Sequence, residues 1–499
     1  MHVRTIAAAT FFAAAAAVAP GPCVASASGD DTAVSGVAGE IRDARYAQST
    51  ASKPDERIDP EAVLEQVADM APDLLSRYIR IDTTNSPGTE LEGVRLLSEV
   101  LAADGIESTI FESAPGRGNL YARLEGTGAR RPIILLSHVD VVPVDAGRWK
   151  RPPLGGVIAD GAVHGRGALD AKGIGVTQLL AMVAIKRLGV PLTRDVILLA
   201  TAGEETGGAL GAGWMVEHEF ERLADAEFVL NEGGFIRREP GRSLIYNLNA
   251  AEKGPCWFKV TASGPPGHAS RPAGDTAVTR LVDALARLVA WKRPYEVGPV
   301  VAGYYAAYAL LDSDHARQFR QLDRSLEDED FYDWFMSDPG AAALVQDTLT
   351  PTVLEGSKKT NVIPTEAVAR VDSRLLPGHD CDEFLTTVRD LIGSQHVRVE
   401  RDGVAFPSSQ SPLHNALTRA MERVAAADEE RAVVLPGLQS GFTDSHYFRA
   451  KGINAYGFTP IVVTAEQRDA VHGPNENVGV DALRDGVRRM TRFLEEISR

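Results

Sequence analysis

The sequence predicts an α/β protein that carries a second, inserted α+β domain. Short apolar runs at residues 132–136, 196–200 and 228–230 have the length of strands, and turn residues or reactive polar residues flank each run. These runs alternate with segments whose apolar residues recur at helical spacing, which indicates a largely buried sheet covered by helices. The pattern changes near Glu252, and a chain of 499 residues is longer than one core usually supports.

The first 27 residues predict a signal peptide. Arg4 precedes an apolar run rich in Ala and Phe at residues 5–18, and residues 25–27 form a cleavage site of small side chains. The run is too short and too rich in alanine to span a bilayer, so no membrane anchor is expected. We therefore expect an exported protein, and the sequence leaves open whether it is periplasmic or secreted.

The rest of the chain divides into a leader and two domains. Residues 28–57 are rich in Ser, Ala, Gly and Asp without apolar periodicity, which predicts a flexible leader. The first domain is expected at 58–251 and resumes at 375–499, with the inserted domain at 252–374. Within the insert, strands are expected at residues 257–262 and 367–375, an amphipathic helix at 276–291, and helical character at 295–350.

The net charge limits the classes of partner that the protein can bind, and the cysteine content limits the number of disulfides that it can form. The net charge of −16 and the pI of about 5.2 argue against nucleic acid as a partner, because a polyanion would be repelled. Once the signal peptide is removed, Cys256 and Cys381 are the remaining cysteines. One disulfide between them is open in an oxidising compartment, but two buried and unpaired thiols are the expectation.

The first cluster of reactive side chains is Ser137-His138-Val139-Asp140, which closes an apolar run. Residues two apart on an extended segment share a face, so His138 and Asp140 can point the same way. This suits an imidazole that binds a metal ion while a carboxylate holds its second nitrogen. A strand-end histidine with a structural hydrogen bond is the alternative.

Two further clusters present carboxylates in glycine-rich turns. Asp170 follows Gly165 and Gly167 in a turn that lacks the features of a phosphate-binding loop. Glu204 and Glu205 follow the run at 196–200, where both side chains can bend toward one site. One carboxylate could then bind a metal ion while the other accepts a proton from water. An ordinary turn and a solvated surface pair are the alternatives.

Glu232 and His472 complete the set. Glu232 follows a third apolar run, and His472 lies in a polar loop near the C-terminus. Neither residue is informative alone, but two histidines and three carboxylates in such places match the nitrogen and oxygen ligands of zinc. Two divalent ions would balance three carboxylates and one hydroxide, which keeps a partly desolvated cleft close to neutral.

The order of these clusters resembles the co-catalytic zinc metallopeptidase family of glutamate carboxypeptidase, aminoacylase, succinyl-diaminopimelate desuccinylase and carboxypeptidase S. The resemblance extends from about residue 60 to the C-terminus. Residues 231–234, 251–254 and 359–364 are most similar to carboxypeptidase S and the secreted N-fatty-acyl-amino-acid hydrolases. The resemblance implies a zinc-exopeptidase-like catalytic domain with a mostly parallel central sheet, and an inserted ferredoxin-like lid. It also implies a cis peptide bond after Asp170.

The resemblance further implies two divalent metal ions, with zinc expected before cobalt or manganese. The residues that it assigns to the metals are His138 and Glu232 for one ion, Glu205 and His472 for the other, and Asp170 as the bridge between them. Asp140 would orient His138. Glu204 would be the general base that deprotonates a water molecule bridging the two ions.

In the lid, the resemblance implies residues that hold the substrate. His268 matches a histidine that helps to bind the oxyanion, and Asn361 and Arg374 match positions that grip the substrate's carboxylate. A loop hydrogen bond is the alternative for His268, and a surface salt bridge for Arg374. In dimeric members of the family the histidine comes from the partner subunit, so the expectation includes a homodimer through the lid.

One departure from the family pattern is the long segment at residues 294–350. Its apolar and tyrosine-rich part at 300–308 is expected either to line a pocket for an apolar group or to form the core of a lid helix. A separate loop at 441–445 matches a loop of the substrate cleft.

The expected function is metal-dependent hydrolysis of an amide bond in a small substrate with a free carboxylate. The substrate is expected to be a short peptide or an N-acyl amino acid. An aminopeptidase or dipeptidase of the same family is the alternative enzyme, and an exported binding protein without activity is the alternative of another class. The sequence leaves open the substrate, the native metal and the favoured direction of the reaction.

Overall fold

The structure is a computed structural model, and it describes residues 59–238, 243–272, 274–312 and 314–499. The expected signal peptide at 1–27 and leader at 28–57 lie outside the described residues. Within the described ranges, no helix is both long enough and apolar enough to cross a membrane.

The secondary structure alternates between strands and helices along the chain. The strands are β1 Ser108–Ala114, β2 Arg117–Leu124, β3 Ile133–His138, β4 Val157–Ala159, β5 Ala162–His164, β6 Val196–Thr201, β7 Phe228–Arg238, β8 Leu244–Glu252, β9 Gly254–Ser263, β10 Gly267–His268, β11 Thr348–Glu355, β12 Val362–Ile363, β13 Glu366–Leu375, β14 Val397–Ala405, β15 Ser409–Gln410, β16 Val433–Gln439, β17 Asn454–Val463 and β18 Asn477–Gly479. The α-helices are α1 Pro60–Asp69, α2 Ala71–Arg80, α3 Glu90–Ala103, α4 Lys172–Leu188, α5 Ala212–His218, α6 Ala277–Ala290, α7 Pro299–Tyr308, α8 Ala316–Phe319, α9 Leu322–Ser325, α10 Glu329–Met336, α11 Pro339–Val345, α12 Cys381–Ile392, α13 Ala416–Asp428, α14 Ser445–Ala450, α15 Ala465–Asp469 and α16 Val480–Ile497.

A mixed sheet forms the centre of the larger domain. Among the described residues it has nine strands, in the order β1-β2-β6-β3-β7-β17-β8-β15, with β16 also paired to β8. The central strands β6, β3, β7 and β17 run parallel to one another, whereas β1, β2, β8 and β15 pair antiparallel at the sides. The expected α/β fold is confirmed, and the parallel arrangement is concentrated at the centre of the sheet.

Strands β3 and β6 at the centre are apolar along most of their length because helices cover both faces of the sheet. Every residue of β3 and β6 is buried, and α4 buries almost all of its side chains between the sheet and its neighbours. A buried parallel strand needs no polar alternation, which explains the continuous apolar runs in the sequence. Gly189 caps the C-terminus of helix α4. Its φ is 61°, a left-handed conformation that glycine adopts without strain.

The smaller domain is a four-stranded antiparallel sheet with two helices. Its strand order is β11-β13-β9-β14, and α6 and α12 pack on the sheet around a separate hydrophobic core. The chain order β-α-β-β-α-β with this strand order is the ferredoxin-like arrangement. Strand β14 extends to Ala405, so the expected boundary at residue 374 falls inside this unit. The lid therefore includes residues that the sequence analysis placed in the second part of the larger domain.

The helical segment α7–α11 does not join the lid core. Its buried aromatic residues, which include Tyr304, Tyr305 and Phe335, belong to the core of the larger domain. Helix α7 lies close against β16: a Cβ atom at Gly303 would come within 3.2 Å of Leu413 and 3.3 Å of Pro436. Residues 300–308 thus form core rather than a pocket. Contrary to expectation, that core belongs to the larger domain because α7 packs against the central sheet.

The two cysteines form a disulfide between Cys256 and Cys381, 125 positions apart. This corrects the expectation of two unpaired thiols. Cys256 lies on β9 and Cys381 begins α12, and the lid sheet brings these positions together. The sequence could not show this pairing, because the distance between the two residues depends on how α12 packs on the sheet.

Candidate metal centre

The carboxyl ends of three neighbouring parallel strands bring the reactive clusters together. In the sheet order β6-β3-β7, His138 ends β3, Glu204 and Glu205 follow β6, and Glu232 lies on β7. His138 is paired in register with Thr201, so the turn at Glu204 begins beside it. Carboxyl ends of parallel strands meet at one edge of a sheet, which is where such folds place their sites.

Asp170 lies between the two histidines. The Nε2 atom of His138 is 2.9 Å from one oxygen of Asp170, and the Nε2 atom of His472 is 3.0 Å from the other. The peptide bond between Asp170 and Ala171 is cis, as the resemblance implied. His472 itself has φ of 59°, in the left-handed region that is unusual for a residue other than glycine.

The glutamates surround this arrangement. Glu205 is 3.0 Å from Nε2 of His472, and Glu232 is 3.5 Å from Nε2 of His138. The groups whose donor atoms lie within 4.8 Å of one another are His138 with Asp170 and Glu232, His138 with Glu204 and Glu205, and Asp170 with Glu205 and His472. Imidazole nitrogens and carboxylate oxygens are the ligands that zinc takes in proteins. The donor set therefore fits divalent metal ions.

Burial, and then the charges and hydrogen bonds of neighbouring groups, shifts the pKa values of the site. Burial, and then the charge of Glu232, raises the pKa of Glu204 well above its ordinary value. Burial also raises the pKa of Glu232 to about 8. Burial alone would lower the pKa of His472, but hydrogen bonds with Asp170 and Glu205 raise it to about 11. Carboxylates that resist ionisation and imidazoles that retain protons are the marks of a buried cluster of acidic groups, whose negative charge a cation would offset.

Asp140 lies beneath the centre and holds its surroundings in place. Its carboxylate is fully buried and accepts hydrogen bonds from the backbone N–H groups of Glu204 at 3.0 Å and Glu205 at 3.1 Å. Nδ1 of His138 is 2.9 Å from the backbone oxygen of Asp140 and 3.5 Å from its carboxylate. The expected contact between Asp140 and His138 is therefore present. Asp140 also fixes the turn at Glu204 and Glu205, which the sequence did not indicate.

Glu476 shapes the loop that presents Asp170, and the sequence analysis did not select it. Its buried carboxylate pairs with Arg166 at 2.6 Å and accepts hydrogen bonds from the backbone of Gly167, Leu169 and Asp170. The one available signal was its position four residues after His472 in the same polar loop. A carboxylate that satisfies several backbone donors fixes the path of a loop.

The loop at residues 441–445 contacts the centre through Asn231, the neighbour of Glu232. The side-chain amide of Asn231 donates to Thr443 and Ser445 at 3.1 Å each, and Thr443 donates to buried Glu252 at 2.6 Å. Asp444 is buried and accepts a hydrogen bond from Thr201 at 3.0 Å. The resemblance to the family implied that this loop matches a loop of the substrate cleft, and the structure places it beside the centre.

Arg374 lies next to that loop. Its guanidinium is within 5.3 Å of the ring centres of both Trp257 and Phe442, and it forms a two-pronged contact with Asp372 at 2.8 and 2.9 Å. Arg374 is buried, so its pairing with Asp372 is not a surface salt bridge of two exposed residues. Because Phe442 belongs to the loop at 441–445, Arg374 contacts the same segment that Asn231 contacts from the metal centre.

His268 and Asn361 lie together on a short, exposed part of the lid. Strand β10 pairs with β12 so that His268 faces Val362, and the N–H of Ala269 donates to the backbone oxygen of Asn361 at 3.1 Å. The Nδ1 atom of His268 accepts a hydrogen bond from the Ser270 hydroxyl at 2.8 Å. The structure thus brings these two residues to each other on the lid, whereas the residues of the metal centre lie on the central sheet and its loops.

Comparisons with known proteins agree on one family. Residues 134–496 match the model of peptidase family M20/M25/M40. The chain is 28% identical over 356 residues to the N-fatty-acyl-amino acid synthase/hydrolase PM20D1 of Xenopus tropicalis, with 70% of each chain covered. It is 27% identical over 436 residues to Aminoacylase-1 of Mus musculus, covering 85% of this chain and 94% of that one. Its fold is similar to that of the M20 family metallo-carboxypeptidase Sso-CP2 from Sulfolobus solfataricus, with a TM-score of 0.66, 18% identity, and coverage of 89% and 100%.

Proposed function

Because this chain belongs to peptidase family M20/M25/M40, we propose that it hydrolyses an amide bond in a small substrate that carries a free carboxylate. The substrate class is an N-acyl amino acid or a peptide cleaved at its carboxyl end. The likeness in sequence to an N-fatty-acyl-amino acid synthase/hydrolase and to an aminoacylase supports the first of these.

The observation that carries the proposal is the position of Asp170 between two imidazoles. Each of its carboxylate oxygens lies close to a different Nε2 atom. The distances are 2.9 Å to His138 and 3.0 Å to His472. We assign His138 and Glu232 to one metal ion, His472 and Glu205 to the other, and Asp170 to both. Zinc is the metal that this ligand set favours, and cobalt and manganese are the alternatives.

The chain supplies the proton transfer and the orientation of the site. When bound, two divalent ions polarise the carbonyl of the scissile amide and lower the pKa of a water molecule. Glu204 projects into the same pocket from the turn that Asp140 holds, so its carboxylate can accept the proton of water and pass it to the leaving nitrogen. Burial raises the pKa of Glu204, which makes it a stronger base than an exposed carboxylate.

Arg374 is the residue that we assign to the substrate's carboxylate, together with Asn361. The Arg374 guanidinium is packed 5.3 Å from the ring centres of both Trp257 and Phe442, and these contacts restrict its orientation, which suits recognition of a planar carboxylate. Asp372 already contacts two of its nitrogens, so the substrate would use the remaining one or displace Asp372. We assign His268 to the oxyanion, and its exposed place on the lid requires either lid closure or a second copy of the chain.

A second copy is supported by an apolar face on the lid. Val278, Val282 and Val289 lie along one side of α6 and are 40%, 59% and 67% exposed, and Leu354 on the edge strand β11 is 68% exposed. Exposed valines and leucines grouped in this way are typical of a protein interface. We propose a homodimer through the lid. Sedimentation should give a dimer for the unaltered chain and a monomer for a V282E/V289E variant, and a monomeric unaltered chain would contradict this.

An aminopeptidase or dipeptidase and an inactive binding protein are the alternative functions. We also propose that the protein is exported. An aminopeptidase or dipeptidase would use the same centre but recognise a free amino end, and an inactive binding protein would use the cleft alone. The presence of Glu204 beside a complete ligand set favours an enzyme over a binding protein. Residues 1–27 support export to the periplasm or the medium. The same residues would serve hydrolysis and the reverse condensation.

The test combines metal analysis with a substrate panel. The mature protein, purified without chelator, is compared on N-acyl amino acids, on dipeptides with a free carboxylate, and on the same compounds with the carboxylate amidated. About two metal ions per chain and loss of turnover on amidation are expected. Turnover of amidated peptides that keep a free amino end would instead indicate an aminopeptidase. Absence of bound metal, and of turnover after zinc, cobalt or manganese is added, would indicate a binding protein.

A further inference from the structure

A chain of buried polar side chains connects helix α3 with the turn that carries Glu204 and Glu205. Its members are Glu90, Arg117, Asn85 and Asp140, whose exposed fractions are 0%, 6%, 4% and 0%. We refer to these four residues and the contacts between them as the line. Buried charges at this depth destabilise a protein unless they are paired, so their arrangement needs a structural or functional reason.

The contacts run in one line from Glu90 to the metal centre. Glu90 pairs with Nη2 of Arg117 at 2.9 Å, and Nη1 of Arg117 donates to the side-chain oxygen of Asn85 at 2.8 Å. The side-chain N–H of Asn85 donates to Asp140. Asp140 in turn accepts the backbone N–H groups of Glu204 and Glu205.

The hydrogen bonds of this line have only one workable direction. A guanidinium can donate and never accept, so the Asn85 oxygen must face Arg117 and the Asn85 amino group must face Asp140. With the amide turned the other way, two donors would meet at Arg117 and two acceptors would meet at Asp140. Arg117 therefore sets the orientation of the Asn85 amide, and that amide leaves both oxygens of Asp140 as acceptors.

Arg117 also packs directly against the turn. A Cβ atom at Gly203 would lie 2.5 Å from Nη2 of Arg117, and one at Gly88 would lie 1.8 Å from Nη1. Both glycines have positive φ, 71° and 79°. The guanidinium thus fills the space next to the residue that immediately precedes Glu204, and any side chain at Gly203 would push the two apart.

We propose that Asn85 and Arg117 are positioning residues for the hydrolysis. They hold the Asp140 carboxylate in the orientation that fixes the backbone of Glu204 and Glu205, and so place the proton-accepting carboxylate relative to the metal ligands. This inference rests on the proposed function, because it assumes that Glu204 accepts the proton. Neither residue touches the substrate, and both act through Asp140.

The test uses three substitutions that change the line in different ways. N85D keeps the size of the side chain but puts a second carboxylate against Asp140. N85S adds no charge but is too short for its hydroxyl to replace both contacts of the amide. R117K keeps the positive charge but cannot contact Glu90 and Asn85 through two separate nitrogens. Each is expected to lower kcat about 10- to 100-fold, the range seen when a residue behind a metal site is removed. KM and metal content are expected to stay near those of the unaltered chain.

Arg194 provides the matched control. It is 1% exposed and pairs with Glu227 at 3.0 Å. It also donates to the backbone oxygens of Ile497 and Arg131, near the amino end of β6 and so at the opposite end of that strand from the metal centre. R194K should lower the thermal midpoint and leave kcat per folded, metal-loaded chain unchanged. A positioning role is further supported if guanidinium ions added to R117A restore part of its kcat, which a collapsed or misfolded site could not show.

The outcomes separate this inference from the proposed function. If N85S, N85D and R117K, folded and loaded with metal, keep kcat within about twofold of the unaltered chain, the inference is wrong. If N85D does not fold, N85S and the guanidinium rescue of R117A decide the question by themselves. Full turnover by a Glu204→Ala variant would remove the proposed base. An inactive Glu204→Ala variant beside fully active Asn85 and Arg117 variants would overturn this inference alone.

Discussion

Glu476 accepts a hydrogen bond from the backbone N–H of Asp170 at 3.2 Å, although 306 positions separate the two residues. The same carboxylate accepts the N–H of Leu169 at 2.8 Å and pairs with Arg166. The loop that presents the central carboxylate therefore owes its shape to a residue near the other end of the chain. Four residues before Glu476, His472 contacts the same aspartate.

This contact predicts that Glu476→Gln weakens metal binding. The glutamine keeps the size of the side chain, but it removes the charge that balances buried Arg166 and one acceptor for the loop. We expect metal affinity to fall about 10- to 100-fold, and the free energy of unfolding to fall by about 3 kcal/mol. Chelator competition and urea unfolding measure the two effects. An exposed counterpart, Glu61→Gln, should change neither, and unchanged metal affinity in Glu476→Gln would contradict the structural role.

The second prediction concerns the proton acceptor. Glu204→Ala should keep both metal ions and lose about 10²- to 10⁴-fold in kcat, because the proton of water then has no nearby carboxylate to accept it. Metal analysis and steady-state kinetics on the same preparation check this. Glu217→Ala, at an exposed position on helix α5, is the control. Loss of metal along with activity would instead assign Glu204 to the ligands.

The third prediction concerns substrate recognition. Arg374→Ala should raise KM about 10- to 100-fold for substrates with a free carboxylate, since each hydrogen bond to a charged group contributes about 1.5–3 kcal/mol. Amidated substrates should respond much less. Arg370→Lys on the same strand, an exposed residue paired with Asp402, is the matched control. Equal losses on both substrate types would show that Arg374 supports the fold of the cleft rather than the carboxylate.

The fourth prediction concerns the disulfide in the lid. Replacing both Cys256 and Cys381 by serine should lower the free energy of unfolding by about 2–4 kcal/mol, because the crosslink restricts a long loop of the unfolded chain. Urea unfolding with and without reductant checks this, since the unaltered chain should match the variant only when it is reduced. Turnover should change little, because the disulfide lies in the lid core away from the metal ligands. A variant as stable as the oxidised chain would mean that the bridge does not form in solution.

The fifth prediction is a pH dependence of stability at the junction of the lid and the larger domain. His379 lies 2.8 Å from Asp347 and 3.2 Å from Glu296. Burial alone would lower the pKa of His379, but the hydrogen bond and charge of Asp347, followed by those of Glu296, raise it. Because the pKa is raised, the contact makes its full contribution to the free energy of unfolding at pH values below the unfolded-state pKa, which is about 6.5. That contribution is lost as the pH rises through the folded-state pKa.

His379→Gln should therefore destabilise the chain more at about pH 5.5 than at about pH 9. Urea unfolding at the two pH values measures the difference, with exposed His414→Gln as the control. A difference of equal size at both values would show that His379 contributes through packing rather than through its charge.

Much of the candidate centre could be predicted from the sequence, because three of the reactive clusters, those of His138, of Glu204 and Glu205, and of Glu232, follow runs of apolar residues. Such runs become the buried strands β3, β6 and β7, and parallel strands place their carboxyl ends at one edge. That physical rule brings His138, Glu205 and Glu232 together without knowledge of any contact. In the lid, local periodicity predicted β9, α6 and β13, whereas the ferredoxin-like arrangement was implied by the resemblance to the family.

The remaining features depend on which surfaces meet, and the sequence alone did not determine them. Local periodicity shows that a residue is buried, but not against what, because the partner lies far along the chain. The tertiary structure decided that Cys256 meets Cys381, that α7 packs on the central sheet instead of the lid, and that the lid extends to Ala405. It also decided the line from Arg117 through Asn85 to Asp140, because hydrogen-bond direction and side-chain contact exist only once the chain has folded.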